Sequence, residues 1–142
     1  MNRPAGGTLY SPRLLALAVE LADYPFDPDA SLHGEARSRS CGSEIALSAG
    51  NGFRKIGMRV TACAVGQAAA AIFVRHAEGA TFDQIEEALR QITDWLEEGA
   101  ELPDWPDFSL LEAARDYPGR HGALQLPWRA ALDALSKEAP RR

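Results

Sequence analysis

Side chains alternate with a period of two only between residues 32 and 62 of this 142-residue chain; the segments outside that window repeat with the period of a helix. This division restricts the fold more than any other feature. A short antiparallel sheet with one apolar side has to remove that side from water, and only helices from the flanks can cover it. In the run FRKIGMRVTA, Ile56, Met58, Val60 and Ala62 share one face, while Lys55, Gly57, Arg59 and Thr61 share the other. EIALSAG precedes it across Gly50-Asn51-Gly52, residues that accept the positive φ of a tight hairpin. Before that, Glu35, Arg37 and Arg39 alternate with Gly34, Ala36 and Ser38. The expected class is α+β: a three-stranded antiparallel sheet covered mainly on one face by four to five helices, with residues 1–142 as one domain.

The helices carry their own boundaries. Ser11 and Pro12 read as the N-cap and first helical position ahead of Leu14, Leu17 and Leu21. Residues 64–78 are rich in alanine, which allows close packing on the sheet, and Gly79 ends them. Thr81 and Gln84 form a capping box before Phe82, Ile85, Leu89, Ile92 and Leu96, with Gly99 as the stop. A short helix is expected through Leu110, Leu111 and Ala114, and a last one from about Pro127 through Trp128, Leu132 and Leu135.

A net charge of -5 disfavours phosphate-rich partners, so no nucleic acid is expected. The apolar run LLALAVELA is short and carries Glu20, which reads as an amphipathic helix, with no membrane span and a cytoplasmic location. Two cysteines are too few for a secreted disulfide framework.

Cys63 falls where the third strand gives way to the alanine-rich helix, at a helix start whose free N–H groups favour a thiolate, the form that acts as nucleophile and metal ligand. Packing as a small buried residue is the alternative. Cys41, in SRSCGSEI, lies in a glycine-containing turn between the first two strands, where exposure explains it better than burial. Their separation fits no zinc finger or ribbon. Of the three histidines, His121 is the candidate ligand, in a loop just before the last helix. The acidic positions Asp83, Glu86, Glu87, Asp94, Glu97 and Glu98 read as solvated helix surface, and no phosphate loop, nucleophile elbow or H-E-x-x-H motif is present.

Three segments in order, SRSCGSEI, ACAVGQAAAA and GRHGALQLPWRAAL, resemble the iron-sulfur cluster assembly scaffold family of IscU, SufU and the N-terminal domain of NifU. The likeness spans residues 10 to 137, and the last segment, from Arg120 to Trp128, looks most like the SufU branch. The resemblance implies Cys41 and Cys63 as ligands of iron or an Fe-S cluster, with zinc as a further cofactor, a cysteine desulfurase as sulfur-donating partner, and Fe-S acceptor proteins downstream. Two family donors are missing: the aspartate falls on Ser43 and the third cysteine on Ala123, both expected in loops, with His121 two positions from the latter. The chaperone-binding L-P-P-V-K-like motif is also missing.

The leading expectation is a scaffold-like protein, not an enzyme, that accepts sulfur or binds iron through Cys41 and Cys63. The alternatives are a degenerate paralogue serving as a protein-interaction module without metal, and a zinc-dependent sulfur-transfer protein of the SufU type.

Overall fold

The computed structural model describes residues 11–39 and 42–138, with the element order α1 (Pro12–Glu20), β1 (Leu32–Arg37), β2 (Glu44–Gly50), β3 (Arg54–Thr61), α2 (Ala64–Ala77), α3 (Phe82–Glu98) and α4 (His121–Ser136). Short 3-10 segments occupy Leu21–Asp23, Phe108–Asp116 and Pro118–Arg120. The three strands form one antiparallel sheet in the order β1-β2-β3, the class expected from the sequence. Register pairs Gly34 with Leu47 and Leu47 with Met58, so the apolar side runs across all three strands. Helices α2 and α4 bury it.

Small residues set how closely those helices approach. Ala68, Ala69, Ala70 and Ala71 on α2 are all fully buried. A Cβ on Gly34 would run into the carbonyl oxygen of Ala130 and come within 2.5 Å of the Ala134 amide nitrogen, so the α4 backbone rests directly on β1. The same helix closes the outer edge of β1: the Asp133 carboxylate accepts the Glu35 N–H at 2.9 Å, and Lys137 Nζ donates to the His33 carbonyl at 3.3 Å. On the opposite edge, the Met58 N–H donates to the Tyr24 carbonyl at 2.8 Å.

The caps follow the sequence. Ser11 accepts from the Leu14 N–H, Thr81 and Gln84 form a reciprocal capping box, and Gly99 ends α3 in the left-handed region at φ 71°. Gly79 is left-handed too, at φ 80°, two residues beyond α2, and donates its N–H to the Phe53 carbonyl. The β2–β3 turn falls one residue later than expected, over residues 51–53. Gly52 has positive φ, but so do Phe53 and Lys55. A left-handed phenylalanine costs about 1–2 kcal/mol, offset here because its ring is 1% exposed.

The last helix differs more. It starts at His121, and Pro127 lies inside it. Pro127 withdraws the N–H that would bond the Ala123 carbonyl four residues back, yet residues 121–126 stay helical because Ala123, Leu124 and Leu126 are buried in the interior. Burial of one face outweighs a local helix breaker. The short helix expected through Leu110, Leu111 and Ala114 is a 3-10 segment. Among the described residues no helix is long and apolar enough to cross a membrane.

An ion-pair cluster ties three elements at one end. The Arg75 guanidinium on α2 reaches Glu20 of α1 at 2.6 Å and Asp107 at 2.9 Å, and His76 Nε2 meets the same Asp107 oxygen at 2.9 Å. Hydrogen bonds from His76 and then Arg75 hold the Asp107 carboxyl below the usual aspartate range, and the bond from Arg75 lowers that of Glu20.

Gly34→Ala forces α4 off the sheet, so urea denaturation should show a loss of about 1–3 kcal/mol or more, against little change for alanine at Gly119, an exposed position where a Cβ meets nothing. A depressed folded-state carboxyl stabilises above its unfolded pKa, and that contribution is lost as pH falls through the folded value. Asp107→Asn keeps a residue type that accepts the left-handed backbone, so its unfolding free energy should be lower at neutral pH and fall less steeply on acidification than that of the wild type, as read from urea titrations at each pH.

Candidate functional site

Strand β3 ends at Thr61, two residues before Cys63, which serves as the N-cap of α2 in extended geometry at φ -68°, ψ 174°. Its carbonyl accepts the Gln67 N–H at 2.9 Å and opens the helical ladder. No side-chain hydrogen bond caps this helix start, and half-buried Cys63 occupies the N-cap position ahead of first-turn N–H groups that carry the positive end of the helix dipole. The turn before it is clamped: the Gln67 carboxamide, one turn into the helix, donates to the Ala62 carbonyl at 2.9 Å.

The neighbouring strand brings a second segment to this end of the sheet. Glu44 pairs with Thr61 in the last ladder position, so Gly42 and Ser43 adjoin the stretch that leads to Cys63. The β1–β2 connection is closed by the Ser38 N–H on the Ser43 carbonyl and the Gly42 N–H on the Ser38 carbonyl, both at 2.9 Å, with Gly42 left-handed at φ 73°. Ser43, at the position where the resemblance has aspartate, is buried outside the strand. Cys41 lies outside the described residues, and so does its expected proximity to Cys63.

The third segment arrives on α4. Ala123 is not in a loop; it occupies the first turn of the helix and is wholly buried. It faces the first turn of α2, since a Cβ on Gly66 would lie 3.3 Å from the Ala123 Cβ and 2.7 Å from that of Ala62. Glycine at 66 is therefore what lets α4 approach the turn that carries Cys63. The tighter limit is local, from Ala62 four positions back, and the approach of Ala123 adds a second from a segment more than fifty positions away.

His121, expected in a loop, is the first residue of α4 and half-buried, with Nε2 hydrogen-bonded to the Arg115 carbonyl at 2.7 Å. Only its Nδ1 is left for a ligand in this arrangement. Among the described residues no three His, Cys, Asp or Glu side chains are grouped so that they could hold a metal ion.

No family model and no curated protein matches the sequence. Solved structures do match. The N-terminal part of a nitrogen-fixing NifU-like protein from Brucella abortus superimposes with a TM-score of 0.82 at 26% identity, covering 96% of this chain and 100% of that one. A candidate iron-sulfur cluster assembly scaffold protein for the SUF system from Fervidobacterium islandicum gives a TM-score of 0.77 at 20% identity, covering 90% and 97%.

The corner makes a directed prediction. Ser43→Asp together with Ala123→Cys adds two donors, the second on a helix turn that already faces the Cys63 helix across Gly66. Zinc, which takes four ligands in closed sites, should bind the double variant more tightly than the wild type or either single variant, measured by competition with a chromophoric chelator. Equal affinity in all four proteins would mean that the segments do not converge on one ion.

Proposed function

We propose that this chain, which has the fold of the NifU-like N-terminal domain and the SUF scaffold protein, is a divergent member of the iron-sulfur cluster assembly scaffold family and acts as a sulfur-accepting, iron-binding scaffold-like protein through Cys41 and Cys63. The observation that carries this reading is the position of Cys63 at the uncapped start of α2, beside the strand end that leads from the Cys41 segment. The reaction needs no more than one thiolate. The sulfur of Cys63 attacks the outer sulfur of a persulfide on a cysteine desulfurase; a new S–S bond forms on Cys63, the donor's S–S bond breaks, and the donor cysteine leaves as a thiolate. No electrons are gained or lost in the exchange.

Iron and the cluster are cargo in this scheme. Two thiolates give soft, charged donors that suit ferrous iron held in passing, whereas a lasting cluster takes four. Ser43 and Ala123 supply neither of the missing two, so cargo would leave readily for Fe-S acceptor proteins. A zinc-dependent sulfur-transfer role of the SufU type asks for the same absent donors. The reducing cytoplasm is the compartment in which both thiols persist.

A second reading has its own support. The side chain at position 123 is packed as closely as any core residue, which is what a paralogue that keeps the fold as an interaction module would show.

Anaerobic incubation with a cysteine desulfurase and L-cysteine, followed by intact mass analysis and peptide mapping, separates the two. The expected product carries one added sulfur on Cys63, is lost in Cys63→Ser, and persists at least in part in Cys41→Ser. A chain that gains no sulfur while the desulfurase turns over would be the interaction module.

A further inference from the structure

We propose that the groove between α3 and the 103–107 segment is a docking surface for an extended, lysine- or arginine-bearing segment of a partner protein. The groove has a volume of about 670 Å³ and opens on the side of the molecule where α2 ends and α3 begins. Its apolar wall is Trp105 with Pro106. The Trp105 ring is fixed from behind, stacked on Phe73 at a centroid distance of 5.5 Å and donating Nε1–H to the Ile72 carbonyl at 3.0 Å. One face of a half-exposed indole is thereby held in place, a platform for a cation or an aliphatic stem.

Charge selects the occupant. Glu78, Asp83, Glu87 and Asp104 line the groove, and no lysine or arginine does. Several are held in place before any ligand arrives: Glu78 accepts the Lys55 N–H at 3.0 Å, and Gln91 bridges Glu87 and Asp104. Arg90 pairs with Glu87 from outside the groove, His76 in the lining pairs with Asp107, and the Arg54 guanidinium lies beside Gly79, which leaves Asp83 and Asp104 as lining carboxylates without an ion-pair partner among the described residues. Asp83 on α3 and Asp104 on the facing 103–107 segment can then take cationic side chains of an extended segment while an apolar side chain lies on Trp105. An anionic or neutral segment would forfeit those pairs.

The groove involves neither cysteine, so its fate and that of the sulfur chemistry are separable. The probe is an acetylated, amidated peptide of four lysines around a central leucine, titrated into ¹⁵N-labelled protein, with a glutamine-for-lysine peptide beside it. Saturable shifts are expected at the Trp105 indole N–H and the amides of residues 78–84 with the lysine peptide alone, fading as salt is raised. Asp83→Asn with Asp104→Asn should weaken binding by about fivefold, as expected for two exposed ion pairs. Glu97→Gln with Glu98→Gln, which removes the same charge outside the groove, should leave it unchanged. Equal weakening by the two double variants, shifts spread along the whole acidic side of α3, or no saturable shift would overturn the proposal.

Discussion

The structure depends on how closely two helices can lie on a three-stranded sheet. Gly34 removes the one side chain that would hold α4 away from β1, and a run of four buried alanines lets α2 settle beside it. Dispersion falls off within a fraction of an ångström, so a gap at these positions would forfeit a large part of the contact energy along both helices. The same closeness shapes the corner with Cys63. If α4 were lifted off the sheet, its first turn would no longer reach Gly66, and the three segments would not meet.

Much of this was legible because the decisive signals were local. The period-two runs, the serine and threonine caps and the glycine at 99 each report a backbone requirement within a few residues, and the structure has them. What escaped were features set by distant contacts. Pro127 reads as a helix start, and nothing nearby says that burial of Ala123, Leu124 and Leu126 will pull the six residues before it into the helix. Phe53 reads as a strand residue; its left-handed backbone follows from the need to place a ring in the core. At the site, the position of Cys63 was readable from the change of period, but the approach of Ala123 to Gly66 was not, because Ala123 is on another helix.

Fold and chemistry have come apart to different degrees in this chain. The backbone brings Ser43, the strand end before Cys63 and the first turn of α4 to one end of the sheet, while two of the side chains that the family resemblance would place there carry no soft donor. Sulfur exchange needs a single thiolate, whereas a cluster cannot be held by fewer atoms than its valences require. Loss of donors therefore removes storage before it removes exchange, which is why sulfur acceptance is the reading that best fits the remaining residues.

The edge of β1 bears on behaviour in a crowded solution. An outer strand with free N–H and C=O groups is a template on which other chains polymerise, and small sheets have few other ways to hide one. Here the Asp133 carboxylate occupies the Glu35 N–H and the Lys137 ammonium occupies the His33 carbonyl, both from a helix already anchored by Gly34. A neighbour seeking to add a strand must first displace a charge of each sign. Strand addition at these two positions of the β1 edge is thereby opposed by charge.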